Sequence, residues 1–190
     1  VRPVSLYPYF RMLPVWNLSV NHERLGSYNV VAFFNWGDEA ATISVTPAEL
    51  GIPDVDYTGF EFWEQRVFSY KVTDKQLSLE VPPHGVRVVA IHPPRDIPQW
   101  VGSDRHIAQN GMEVMDLGWD ARQNRLRGTL RLVGSFPLTL FLRVPDSYRF
   151  ERAACKEASC RVEQKGDLLA ITLQRTKSGE TDFDILFTAS

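Results

Sequence analysis

Apolar and polar residues alternate with a period of two through most of this chain, the pattern of strands that bury one face. Val15-Trp16-Asn17-Leu18-Ser19-Val20 opens it, a polar stretch over 21–27 turns it, and 28–34 follows as a continuous apolar run suited to a strand covered on both faces. Turn chemistry at Asn35-Trp36-Gly37-Asp38-Glu39 leads into Ala41-Thr42-Ile43-Ser44-Val45, which predicts a hairpin between 28–34 and 41–45. Thr46 as N-cap, Pro47 at the first helical position and Gly51 past the end predict one helical turn. Further strands are expected over 60–63, 67–72 and 77–81 and, after the Pro82-Pro83-His84-Gly85 turn, over 86–91. About seven short strands at this spacing predict a β-sandwich.

Three prolines in Pro93-Pro94-Arg95-Asp96-Ile97-Pro98 cannot sustain a sheet ladder, so a domain boundary is expected there. Beyond it, alternation predicts strands over 112–117, 125–133, 138–144, 148–154, 161–164, 168–173 and 183–187, with no long helix in either half. The expectation is an all-β protein of two consecutive antiparallel β-sandwich domains, Greek-key-like, over residues 1–94 and 95–190.

Composition supports a folded chain. Of 190 residues, 44% are hydrophobic and 23% charged, with five Trp and eleven Phe as core material. The formal net charge is −2, which gives no electrostatic reason to expect nucleic acid or an anionic membrane as partner. The opening Val1-Arg2-Pro3-Val4-Ser5-Leu6-Tyr7-Pro8 reads as the interior of a longer protein. The two cysteines, Cys155 and Cys160, enclose four residues, the size of a hairpin loop, and directly opposed cysteines there would lie about 5.5 Å apart at Cα, within disulfide range. They pair if the protein is secreted and stay reduced if it is cytoplasmic; the localisation stays open between the two.

Candidate chemistry is sparse. Glycoside hydrolysis needs two carboxyl groups about 5–9.5 Å apart across a cleft. Glu61 and Glu64 are three apart on an expected strand, hence on opposite faces, and read as solvated acids. His84 reads as a surface turn residue, and His22 and His92 have no second ligand at metal spacing. Ser103, Asp104 and His106 share one loop, but no nucleophile elbow accompanies them, so Asp104-Arg105-His106 reads as a polar loop that docks one domain on another. No phosphate-binding glycine loop or cofactor signature is present, so neither cofactor nor metal is expected. Trp36, beside Asn35 and Asp38 in a turn, is the best candidate for stacking on a sugar ring; Trp63, Trp100 and Trp119 are weaker ones.

Val31-Ala32-Phe33-Phe34-Asn35-Trp36-Gly37-Asp38-Glu39, then Pro47-Ala48-Glu49-Leu50-Gly51, Phe62-Trp63, and Leu77-Ser78-Leu79-Glu80-Val81-Pro82-Pro83-His84-Gly85-Val86-Arg87 together carry a resemblance. The stretch resembles the C-terminal β-sandwich of melibiase-type glycoside hydrolases, the α-galactosidase superfamily. In that family the corresponding segments follow a catalytic (β/α)8 barrel. The opening Arg2-Pro3-Val4-Ser5-Leu6-Tyr7 with Val15-Trp16 is similar to the segment leaving the barrel, and residues 101–111 are similar to a segment after the first sandwich in some members. The resemblance covers about residues 1–110.

It implies a non-catalytic C-terminal accessory region that stabilises or docks on its own catalytic barrel, the parent protein being a glycoside hydrolase of carbohydrate metabolism. The family's catalytic aspartates sit on the barrel, so no catalytic residue is carried over to this chain. The rival reading is a carbohydrate-binding module using Trp36, Asn35 and Asp38. A small stand-alone hydrolase built on Asp104 and His106 is a third, set aside for want of a nucleophile motif.

Overall fold

A computed structural model describes residues 2–4, 12–105, 109 and 111–190. Two compact units emerge, one of Val1–Asn21 and Ser27–Pro94, the other of His22–Gly26 and Arg95–Ser190. The first contains β1 (Arg2–Pro3), β2 (Val15–His22), β3 (Gly26–Phe34), β4 (Ala41–Val45), α1 (Pro47–Leu50), β5 (Tyr57–Glu61), β6 (Arg66–Tyr70), β7 (Leu77–Val81) and β8 (Val86–His92). The second contains β9 (Gln99–Ser103), β10 (Val114–Asp120), β11 (Arg125–Leu132), β12 (Leu138–Arg143), β13 (Tyr148–Cys155), β14 (Ser159–Lys165), β15 (Leu168–Gln174) and β16 (Gly179–Ala189). The described residues are all-β, with one helical turn and a short 3-10 turn over Val72–Asp74.

In the first unit a six-stranded sheet ordered β1-β2-β3-β8-β5-β6 faces a two-stranded sheet of β4 and β7. The inner layer is built from alternate residues: Val31 and Phe33 of β3, Val89 and Ile91 of β8, Tyr57 of β5, Val45 of β4, Leu77 and Val81 of β7, and Leu50 of α1. The helical turn forms for a local reason. Thr46 Oγ1 accepts from Glu49 N at 3.2 Å while Glu49 Oε2 accepts from Thr46 N at 2.8 Å, and Gly51 closes the turn at φ 72°. Asn17, on the inner face of β2, donates to Leu50 O at 2.9 Å and ties that turn to the large sheet.

The hairpin expected between 28–34 and 41–45 does not form. β3 pairs with β8, and β4 crosses to pair with β7, Ala41 opposite Val81 through Val45 opposite Leu77. A six-residue connection allows the chain to change sheets, and β4 supplies Val45 to close the core from the other side.

The second unit is a four-on-four sandwich, β10-β11-β16-β13 against β14-β15-β12-β9, with non-consecutive strands adjacent in both sheets. Leu126, Leu130, Leu132, Phe183, Ile185 and Phe187 of one sheet meet Trp100, Leu140, Leu142, Leu169, Ile171 and Leu173 of the other. β9 was absent from the expected strands: Gln-Trp-Val-Gly-Ser shows no alternation because all five residues are buried. Cys155 and Cys160 do not flank a hairpin either. β13 pairs with β16 and β14 with β15, so residues 156–158 carry the chain from one sheet to the other.

Candidate functional site

Asn35, Trp36 and Asp38 lie in the crossing from β3 to β4, but they do different things. Asn35 is only 6% exposed. Its Nδ2 donates toward Glu39 O at 2.6 Å, Val81 O at 3.0 Å and Pro82 O at 3.1 Å, and its Oδ1 accepts from Gly37 N at 2.9 Å. This amide ties the crossing to the end of β7 and is turned inward. Asp38 is exposed and pairs with His84 Nε2 at 2.9 Å. Trp36 is 50% exposed and stacks on Phe34 with ring centroids 5.3 Å apart and planes 8° from parallel.

The stacked pair belongs to a wider apolar surface. Cross-strand partners share a sheet face, so Phe34 lies with Val86 and Ala32 with Val88 on the face opposite the inner core. Phe62 continues the ladder through its N–H to Val88 O at 2.9 Å and lies edge-on to Trp63, which is 59% exposed. On the other side, Trp16 and Trp36 both aim their indole N–H at Leu13 O, at 3.2 and 3.5 Å. Trp16, Ala32, Phe34, Val86, Val88 and Phe62 are all partly exposed. This face thus carries the half-exposed Trp16, Ala32, Phe34, Val86, Val88 and Phe62 beside the exposed Trp36 and Trp63, while Val30, Phe60 and Ala90 on the same face are buried. The sequence marked Trp36 and Trp63 singly; the signal that joined them was the outward-facing half of the continuous runs 28–34 and 86–91.

At the end of the same sheet, Glu61 departs from expectation. It is 1% exposed, not solvated, and its Oε2 accepts from Glu64 N. Arg87 Nη1 stands 4.0 Å from Glu61 Oε1, and Arg87 Nη2 meets Glu64 Oε1 at 2.6 Å. Glu64 follows the strand in a turn that bends it back, so alternation along β5 no longer separates the two acids. Both converge on one guanidinium, which makes the group an ion cluster and not an acid–base pair across a cleft.

In the second unit, Asp104 Oδ2 accepts from Thr139 N at 3.1 Å and Arg105 Nη2 donates to Pro137 O at 3.1 Å. Asp104 and Arg105 thereby hold the entry to β12; His106 lies outside the described residues. Trp100 is a core residue at 4% exposure, and Trp119, partly buried, packs on Tyr148 and Phe187 against that core and also lines an open groove. The outer face of β10-β11-β16-β13 forms an open groove of about 720 Å³ lined in part by Asp116, Gly118, Arg127, Thr129, Cys155 and Asp184. Several of its polar groups are paired: Arg127 and the neighbouring Arg125 both reach Asp184, at 3.0 and 2.9 Å, and Thr129 reaches Asp182 at 2.8 Å.

The histidines are similarly engaged. His22 Nδ1 accepts from Arg24 N and Leu25 N, which leaves Nε2 to donate to Gly111 O at 2.9 Å. His92 stacks on Tyr28 at 4.8 Å. Among the described residues no group of His, Cys, Asp or Glu could hold a metal ion, and no helix is long and apolar enough to cross a membrane.

Residues 15–91 match the family of the alpha galactosidase C-terminal beta sandwich domain. No curated protein matches the chain. Similar solved structures include one from Bacillus halodurans C-125 whose name assigns it as an alpha-N-acetylgalactosaminidase, at 21% identity and TM-score 0.36, covering 45% of this chain and 19% of that one. Another is alpha-galactosidase I from Mortierella vinacea, at 24% identity and TM-score 0.33, covering 41% of this chain and 20% of that one. The chain thus aligns with about a fifth of either structure's length. Over residues 15–91 the first sandwich is similar to the alpha galactosidase C-terminal beta sandwich domain.

Proposed function

We propose that the chain is the non-catalytic C-terminal accessory region of a glycoside hydrolase of the α-galactosidase type, built of two sandwich domains that meet near residues 94 and 95. The partner in this reading is a catalytic (β/α)8 barrel outside the chain. The observation that supports it is the apolar face running from Leu13 and Trp16 through Phe34 and Trp36 to Phe62 and Trp63. Exposed apolar surface of this kind marks interaction sites, and each large side chain removed from water contributes about 1.5–3 kcal/mol.

Hydroxyl-radical footprinting tests the docking. In a protein that carries the barrel together with this chain, Trp36 and Trp63 are expected to be protected at least severalfold relative to the isolated chain. Equal labelling in both refutes the docking face. The isolated chain is expected to show no turnover of aryl-galactosides.

A second reading is favoured by one feature: Trp36 offers a half-exposed ring beside the Asp38–His84 pair, the combination of platform and polar groups that binds sugars. Calorimetric titration of the isolated chain with galactosides and plant polysaccharides separates the two. Saturable heat abolished by Trp36→Ala supports a carbohydrate-binding module, and silence from the folded chain leaves the docking reading in place.

A further inference from the structure

The outer face of the β10-β11-β16-β13 sheet is laid out in rows that cross the strands. One row runs from Gly118 through Arg127 and Asp184 to Ala154. The next runs from Asp116 through Thr129 to Asp182, and Lys156 continues β13 beside it, its N donating to Asp182 O at 2.8 Å. The first row is small at both ends, and an atom added at the Cβ position of Gly118 would meet nothing within 4 Å. The groove of about 720 Å³ lies over these rows. Its size falls in the range of roughly 300–1,000 Å³ common to ligand sites.

The charges of this groove select the ligand. Its carboxylates are Asp116, Asp120, Asp182 and Asp184, and its own cations are Arg127 and Lys156. Two more stand behind them: Arg24 lies 3.4 Å from Asp116 and Arg125 lies 2.9 Å from Asp184. Equal numbers of each sign leave no net attraction for an anion or a cation. What remains is a dense set of fixed donors and acceptors. Asp184 at 3.0 Å and Gln123 at 2.7 Å orient the Arg127 guanidinium, and Thr129 Oγ1 donates to Asp182 Oδ1 at 2.8 Å. Asp182 Oδ2 and the Lys156 ammonium are on exposed side chains and have no partner among the described residues.

We propose that this groove binds a neutral oligosaccharide, at a site separate from the Trp36 surface of the first sandwich. A sugar hydroxyl donates and accepts at once, so adjacent hydroxyls of one ring satisfy Asp182 as donors and Lys156 and Arg127 as acceptors. Side chains already held by their neighbours lose little freedom when the ligand arrives. The open ends at Gly118 and Ala154 admit a chain longer than one ring. The neutrality of the ligand follows from the groove itself; the choice of a galactoside among neutral saccharides rests on the proposed function.

The test titrates the whole folded chain with galactotriose, cellotriose and trigalacturonate, followed by backbone amide shifts in NMR. A neutral trisaccharide is expected to bind saturably and to move amides of 116–120, 127–129, 154–156 and 182–184. Its affinity is expected to change by no more than about twofold between low salt and about 0.5 M salt. Gly118→Leu fills the open end of the groove. Lys156→Ala removes a donor whose residue holds the fold through its backbone alone. Each is expected to weaken binding about tenfold with the urea midpoint unchanged, while Trp36→Ala binds like the wild type. Binding of cellotriose without galactotriose supports the groove and counts against a galactosidase-type parent, whereas the footprint of Trp36 and Trp63 bears on docking alone. Three outcomes overturn the proposal: neither neutral trisaccharide moves these amides at millimolar concentration, trigalacturonate binds more tightly than both, or Gly118→Leu and Lys156→Ala both bind like the wild type.

Discussion

Asn35 decides whether the crossing beside Trp36 is a binding loop or a structural one. Its amide reaches three backbone carbonyls, including the buried one of Val81, and its carbonyl oxygen receives Gly37 N. An NH2 group has two protons, so two of those contacts are full hydrogen bonds and the third is shared. Asn35→Ala removes two donors and one acceptor, each worth about 1 kcal/mol net, for a loss of about 2–3 kcal/mol. Trp36→Ala removes a ring stacked at the surface and costs about 1 kcal/mol.

Asn35→Asp sharpens the test. The shape is retained and so is the acceptor for Gly37, but a carboxylate oxygen now faces three carbonyl oxygens. It is therefore expected to be less stable than Asn35→Ala despite being the closer mimic. Equilibrium urea unfolding, with hydrogen exchange read over peptides covering 28–45 and 77–92, measures all three variants. A loss below about 1 kcal/mol for Asn35→Ala, or an aspartate variant no worse than the alanine one, would refute the structural assignment.

Arg87→Ala leaves buried Glu61 without its guanidinium and is expected to cost about 2–4 kcal/mol, less than the full cost of orphaning a charge because Arg87 is partly exposed. Adding Glu61→Gln is expected to recover part of that loss, and a double-mutant cycle by urea unfolding that shows strict additivity would remove the pair from the account. A Cβ at Gly128 would lie 2.2 Å from Asp116 O and 2.8 Å from the Phe183 ring, so Gly128→Ala is expected to cost about 1–3 kcal/mol. Gly118→Ala, with nothing within 4 Å of the added atom, is expected to be near neutral in the same urea unfolding.

The Asp56 carboxylate is lowered from 3.8 first by Val72 N–H and then by Lys71. Its contribution is therefore full above 3.8 and is lost as pH falls through the lower pKa of the folded state. The acid limb of the urea midpoint should flatten in Asp56→Asn.

Local chemistry was legible wherever it alone decides the outcome. Thr46, Pro47 and Gly51 mark the helical turn through caps that reach no further than four residues. The run 77–81 and most other strands followed from alternation, which survives when one face is solvated. What escaped the sequence was set by partners distant in the chain. β9 lacks alternation because both faces are covered, and β4 turns away from β3 because Val45 completes a core with Leu77 and Val81. Asn35 reads as polar turn chemistry, and only the position of Val81, 46 residues later, turns its amide into a buried tie. Glu61 fails for the same reason, since its guanidinium comes from β8.

The continuous apolar runs carry the argument about partners. A strand with one solvated face keeps polar residues on that face, because nothing is gained by exposing Phe or Val there. β3 and β8 do not alternate: the outward positions hold Ala32 and Phe34 on one strand and Val86 and Val88 on its neighbour. The two-stranded sheet of β4 and β7 covers the inner face alone, so it explains Val31, Phe33, Val89 and Ile91 but none of the outward set. Trp16 of β2, Trp36 and Phe62 extend that set beyond β3 and β8, held in place by hydrogen bonds and ring contacts that fix the surface before anything meets it. Preorganised apolar area of this kind loses little conformational entropy when covered. A sugar ring would occupy only one such platform, whereas the proposed protein partner would cover several of them. The extent of the face, more than the exposure of any one tryptophan, favours a protein partner.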